Sequence, residues 1–269
     1  MNTTEAKQHI ALITGASSGI GKELARLHAR RGGDLVLVAR SEGKLAKLAA
    51  ELEIEHGRRA MIIAQDLAQP SASRAVYDAV KAAGVQVDYL INNAGFGGRG
   101  AFHERRWEDD LAMIQLNIVA LTELTRLFLP DLVARKTGKI LNVSSTASLM
   151  PGPLQAVYYA TKAYVTSFSN AIAEELRGTG VTVTALLPGA TETEFARSAD
   201  MEKTPLFANT KSASPVEVAG AGYDAMLRGD MDVIAGVSFA QRMMLAAIPF
   251  TPKKMLIRQV RKMQLALAT

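Results

Sequence analysis

The chain has 269 residues, 48% of them hydrophobic and 21% charged, with a formal net charge of +5. This balance suits one domain with a sizeable core. The lack of cysteine excludes disulfides and thiolate metal sites, and His9, His28, His56 and His103 are too scattered to suggest a metal ligand set, so no metal is expected.

Both charge signs are interspersed, without the basic stripe and interleaved aromatics of a nucleic-acid binder. No signal-like apolar region opens the sequence, and no uncharged apolar run reaches the ~18 residues a spanning helix needs. A soluble, cytoplasmic protein is expected.

Short apolar runs alternate with longer amphipathic stretches. The runs His9–Thr14, Asp34–Ala39, Ala60–Ala64, Asp88–Ile91, Lys139–Val143 and Val181–Leu187 read as buried strands, with Asp232–Ala235 as a last one. Helical patterns fill the gaps at Ile20–Arg31, Glu42–His56, Ser71–Ala83, Trp107–Arg135 and Ala156–Arg177. Apolar strands alternating with helices predict an α/β fold: a Rossmann-like, doubly wound parallel sheet covered by helices on both faces, in a single domain spanning residues 1–269. The polar segment 194–214, broken by Pro205, predicts a flap over a ligand. Residues 239–269 predict a C-terminal helical extension.

The first strand runs into Thr14-Gly15-Ala16-Ser17-Ser18-Gly19-Ile20-Gly21 and then a helix. Glycines let backbone approach a pyrophosphate, the helix start offers free N–H groups, and Ser17 and Ser18 add hydroxyls. Strand, glycine loop and helix in that order predict a dinucleotide site. After the second strand, Arg40 stands where a carboxylate would bind ribose hydroxyls. A guanidinium there suits a 2′-phosphate, so NADP(H) is expected over NAD(H).

With these residues in view, the sequence resembles the short-chain dehydrogenase/reductase family. The match rests on Thr14–Gly21, Asp66 after the third strand, Asn92-Asn93-Ala94-Gly95 after the fourth, Asn117, Ser145, Tyr158-x-x-x-Lys162, Pro188-Gly189 and Thr193. It extends from about Ile10 to Phe195. The resemblance implies Asp66 and Leu67 beside the adenine, and Asn93, Ala94 and Gly95 along the ribose. It also implies Pro188, Gly189, Thr191 and Thr193 around the nicotinamide. Thr191 stands where the family often has valine, and Ser18 where many NADP-using members carry a basic residue, which leaves Arg40 to read the phosphate.

Tyr158 and Lys162 are four apart and share a helix face. A phenol with pKa about 10 is a poor base near neutrality, and a nearby ammonium is expected to lower that value. Tyr158 then serves as general acid for carbonyl reduction, or as base in reverse. By the resemblance, Lys162 also holds the nicotinamide ribose, Ser145 polarises the carbonyl, and Asn117 holds a water in a relay to Lys162. Ser144 competes with Ser145, and the family's thirteen-residue gap to Tyr158 selects the latter.

Phe96, Phe102, Leu149, Met150, Leu154 and Phe195 adjoin these motifs and predict an apolar carbonyl or alcohol substrate. A homodimer or homotetramer is expected. From Val233 to Thr269 there is no acidic residue, while Arg242, Lys253, Lys254, Arg258, Arg261 and Lys262 alternate with apolar side chains. Helices packing on the pocket rim or a neighbouring subunit are the expected use of this segment, with peripheral membrane contact the less favoured alternative.

Overall fold

The computed structural model describes residues 9–199, 201, 204 and 212–265. Seven parallel strands form one sheet: β1 (Ile10–Thr14), β2 (Asp34–Ala39), β3 (Ala60–Ala64), β4 (Tyr89–Asn92), β5 (Gly138–Val143), β6 (Val181–Pro188) and β7 (Asp232–Ala235). Their order is β3-β2-β1-β4-β5-β6-β7. The chain therefore winds outward from β1 to one edge, returns to β4 and winds to the other. The reversal between β1 and β4 leaves a crevice beyond the carboxyl ends of the strands, where such sheets bind ligands.

The helices are α1 (Gly19–Arg30), α2 (Glu42–His56), α3 (Ala72–Ala82), α4 (Trp107–Ala134), α5 (Ala156–Glu175), α6 (Pro215–Arg228), α7 (Phe239–Ala246) and α8 (Lys253–Gln264). One face of the sheet packs Ile13, Leu37 and Ile91 against Leu24 of α1, Leu45 and Leu48 of α2, and Tyr223 and Met226 of α6. The other packs Leu12, Val36 and Leu90 against Val76 of α3, Leu124 and Phe128 of α4, and Ile172 of α5. Both faces of β1, β2 and β4 are thus sealed, which is why their sequences are apolar without alternation.

Several bounds differ by one or two residues from the sequence pattern. The larger difference is in α4, whose turns from Gln115 to Ala120 open to π geometry. By length and composition α4 could cross a membrane, contrary to the sequence expectation, yet Leu121, Leu124, Phe128 and Leu132 are buried against the sheet. Of the expected flap at 194–214, residues 200, 202–203 and 205–211 lie outside the described residues. The described part holds one helical turn, Phe195–Ser198, and a parallel bridge between Thr191 and Ala213.

Candidate active site

The site begins with a turn that admits no side chain. Gly15 and Gly19 have φ of +65° and +53°, the left-handed region that favours glycine. The Gly15 amide donates to Val38 O at 2.8 Å. Thr14 Oγ1 accepts from the backbone amides of Asn93 and Ala94, both at 3.0 Å. The Asn93 side chain donates to Thr14 O at 2.9 Å and Gly15 O at 3.2 Å. A Cβ on Gly21 would overlap both Gly15 O and Asn93 Nδ2. The glycine turn and the asparagine loop are thereby locked together, and the Asn93 amide serves that lock. α1 starts at Gly19 with Ser18 as its N-cap, whose side chain makes no capping bond. The hydroxyl and the first-turn amides face the crevice, a fit for a pyrophosphate.

The crevice is a cleft of about 670 Å³. At one end lie Gly15, Ser17, Ser18, Gly19, Ile20, Arg40, Asp66 and Leu67. Asn93, Ala94 and Gly95 line its middle, with Ser145, Tyr158 and Lys162 facing Pro188, Gly189, Thr191 and Thr193. Gly21 and Asn117 stand behind the surface. Asp66 closes a turn by accepting from the Ala68 amide at 3.1 Å. Arg40 is exposed at the end of β2. One turn into α2, Lys44 also lines the cleft and pairs with Glu194 Oε1 at 3.0 Å. Sequence reasoning missed Lys44; the signal was Ser41, whose side chain caps α2 at the Lys44 amide and so fixes that turn beside Arg40. A cradle that a Cβ would fill, a helix start and two cations at one end together fit a phosphorylated dinucleotide.

Ser145 lies just past β5 and lines the cleft with Tyr158, its Oγ accepting from the Ala147 amide at 3.1 Å. Lys162 Nζ donates to Val143 O at 2.9 Å and lies 5.9 Å from the centre of the Tyr158 ring. The neighbouring Ser144 faces the opposite way: its Oγ donates to Lys162 O at 2.9 Å and meets Thr166 Oγ1 at 2.7 Å. Ser144 therefore holds α5 against the sheet, while Ser145 faces the cleft. Asn117 sits in the π stretch. Its Nδ2 donates to Phe96 O at 2.9 Å and Thr161 Oγ1 at 3.0 Å, and its Oδ1 accepts from the Phe96 amide at 3.1 Å. The widened helix lets this amide brace the loop after β4. A Cβ on Gly95 would come within 3.0 Å of Asn117 Oδ1 and 3.4 Å of Lys162 Nζ, so both polar atoms border the same spot.

The electrostatics correct one expectation. Burial pushes the Tyr158 phenol well above its ordinary value, with the Ser145 hydroxyl pulling the other way. Burial also pushes Lys162 down to about 8. The phenol keeps its proton near neutrality, because its desolvation outweighs the help an ammonium gives a phenolate, while Lys162, whose value still lies above neutral pH, stays mostly charged.

Beyond Tyr158 the cleft turns apolar. Phe96, Met150 and Phe195 line it as expected, and the Phe195 ring centre is 5.2 Å from that of Tyr158. Phe102, Leu149 and Leu154 do not line it: Phe102 is 63% exposed, and Leu154 adopts φ +68° in the loop before α5. Their places are taken by Met244 and Leu245 of α7 and Met263 of α8. Gln155 and Tyr159 also line the wall, tied to the far end of the chain. Gln155 Nε2 donates to Gln264 Oε1 at 2.7 Å and to Met201 Sδ at 2.7 Å, and Gln264 Nε2 donates to Tyr159 Oη at 2.7 Å. No local pattern joins residues more than 100 positions apart, so sequence reasoning had no signal for this network.

A doubly wound sheet with a glycine cradle at its switch point and a buried tyrosine–lysine pair at the cleft floor defines a dinucleotide-fold protein. The sequence profile of the short chain dehydrogenase family matches residues 9–204. The chain belongs to the short-chain dehydrogenase/reductase family. It is 34% identical over 196 residues to a short chain dehydrogenase of Pseudocercospora fijiensis, covering 72% of this chain and 63% of that protein. It is 36% identical over 193 residues to the human very-long-chain 3-oxoacyl-CoA reductase, covering 70% of this chain and 61% of the relative. The chain thus spans less than two thirds of the length of these relatives. Among solved structures, a short-chain dehydrogenase from Sphingobium yanoikuyae in complex with NADPH superposes with a TM-score of 0.81 at 34% identity, over 96% of this chain and 98% of that one. The bulky-bulky ketone specific alcohol dehydrogenase from Comamonas testosteroni superposes with a TM-score of 0.77 at 29% identity, over 96% and 97% of the two chains.

Proposed function

We propose that this protein is an NADP(H)-dependent oxidoreductase that interconverts a bulky, apolar ketone and its alcohol. The observation that carries the reading is the buried Tyr158 phenol, beside Ser145 on the cleft wall and one turn from Lys162, at the point where the glycine-lined half of the cleft meets its apolar half. When bound, the nicotinamide exchanges a hydride with the substrate carbon. The chain supplies everything else. Ser18, the α1 amides and Arg40 hold phosphates; Asp66, Leu67 and the asparagine loop flank the adenosine and ribose. Pro188, Gly189, Thr191 and Thr193 border the ring end. Ser145 donates to the carbonyl oxygen, where negative charge develops. Tyr158 keeps its proton in the unliganded protein and delivers it to that oxygen during reduction. Lys162, charged near neutrality, holds the ribose and stabilises the phenolate left behind.

Two comparisons support the substrate class: the names of the human and Comamonas proteins carry a long-chain acyl ketone and a bulky ketone. The apolar wall of Phe96, Met150, Phe195, Met244 and Met263 suits such groups. The test is NADPH consumption over a panel of aliphatic and ring-bearing ketones, comparing wild type with Tyr158→Phe. Removing the proton donor is expected to lower kcat by at least about a hundredfold, with NADPH binding retained by fluorescence titration. Equal rates in the two proteins overturn the reading.

A further inference from the structure

The C-terminal helices each have two faces, and the chamber uses one. On α7, Leu245 is buried and lines the cleft. On α8, Val260 and Gln264 are buried, and Leu256 and Met263 pack on the core around Tyr158 and Met113. Packing on the pocket rim therefore accounts for the inward residues. It does not account for the outward ones. Phe239 is 79% exposed, Met243 56%, and Phe250, in the turn after α7, 89%. On α8 the outward positions are Lys254, Met255, Arg258 and Lys262, all exposed. One helix thus turns an apolar face to solvent and its neighbour a basic one.

We infer that the outward sides of α7, of the turn after it and of α8 dock on an anionic lipid bilayer, with Phe239, Met243 and Phe250 entering the acyl boundary and the α8 cations meeting the headgroups. Charge complementarity selects the occupant. Residues 233–269 hold six Lys and Arg and no acid, so a lipid surface carrying negative headgroups neutralises the patch. A second copy meeting it across a two-fold axis would set Lys254, Arg258 and Lys262 against their own copies. Because Gln241, Met244 and Leu245 of the same α7 line the cleft, docking sets the apolar end of the chamber beside the membrane. The inference is independent of cofactor and reaction.

The test is co-sedimentation of the full chain with vesicles of phosphatidylcholine alone or with about one third phosphatidylglycerol, at low salt and at about 0.5 M. Binding is expected to the anionic vesicles alone and to weaken with salt. The double variant Phe239→Ser, Phe250→Ser and the triple variant Lys254→Glu, Arg258→Glu, Lys262→Glu are each expected to reduce the bound fraction at least about tenfold. Their melting temperatures should stay unchanged, since these side chains lie outside the core and the cleft. No sedimentation with either vesicle, or equal binding to both, overturns the inference. So does a wild-type oligomer that the double phenylalanine variant splits in lipid-free sedimentation, which would show a second copy on this face.

Discussion

Arg40 and Lys162 are cations under opposite conditions, and each yields a prediction. Arg40 is exposed at the rim of the cleft, where its guanidinium is open to a phosphate. Arg40→Asp is expected to raise the KM for NADPH at least about tenfold while changing that for NADH by less than about twofold. Parallel changes in the two would show that Arg40 is not the discriminator. Lys162 is buried and held at about 8 against an ordinary 10.5, so the folded state disfavours its charge by roughly 3 kcal/mol at about 1.4 kcal/mol per pKa unit. The unfolded chain binds that proton more tightly, and the cost is present at neutral pH and relieved as pH rises from about 8 to 10.5. Lys162→Met is therefore expected to abolish turnover yet raise Tm by several degrees at pH 7, with the gain vanishing above about pH 10.5. Thermal scans at pH 7 and pH 10.5 check the pair of signs.

Elements meet at single buried polar side chains, and α1 shows how pH enters. His28, 2% exposed, points from α1 to Tyr223 Oη of α6 at 2.7 Å and to His9 O, before β1, at 3.1 Å. Gly33 completes the niche, since a Cβ there would overlap the imidazole. Burial lowers the His28 pKa from its ordinary 6.5. A lowered value means that the unfolded chain takes the proton first, so the stability of the clasp is complete above about pH 6.5 and is lost as pH falls toward the folded value. Tm is expected to decline between pH 7 and pH 5.5, and His28→Gln to flatten that slope. A second polar ladder runs from Thr125 of α4 through Asn92 and Asn142 to Ser169 of α5, at 2.9–3.1 Å per step. It joins β4 and β5 to the two helices that carry Asn117, Tyr158 and Lys162, and so sets the depth at which the Tyr158 face of α5 lies.

At the scale of the molecule, the chamber is closed by the part of the chain farthest in sequence from the cradle. Gln264 on α8 is fully buried and supplies the partner that Gln155 and Tyr159, on either side of Tyr158, share. Gln264→Leu leaves the buried Tyr159 hydroxyl without its partner, at about 1–3 kcal/mol, and takes from Gln155 Nε2 one of its two acceptors. The expected outcome is a lower Tm and a KM for bulky ketones raised several-fold, with the KM for NADPH unchanged because the cradle is built from β1, α1 and the asparagine loop. Steady-state kinetics with both substrates varied separates these effects.

The cradle was legible because strand, turn and helix follow one another without interruption, and Gly15 and Gly19 are required by local φ. The pairing of Tyr158 with Lys162 was legible for the same reason, since four residues make one helical turn. The alternation of apolar runs sufficed for the sheet and its helical cover. Local pattern could not show that burial would outweigh the ammonium at Tyr158, because desolvation depends on every chain segment that closes over the site. Nor could it show that Asn117 braces Phe96 from a π turn, or that Met244, Leu245 and Met263 replace Phe102, Leu149 and Leu154 around the chamber. Sequence alone determines which backbone turns are possible and which side chains share a face; three-dimensional packing decides which charges lose water and which distant segments meet, because both depend on contacts between residues that no periodicity connects.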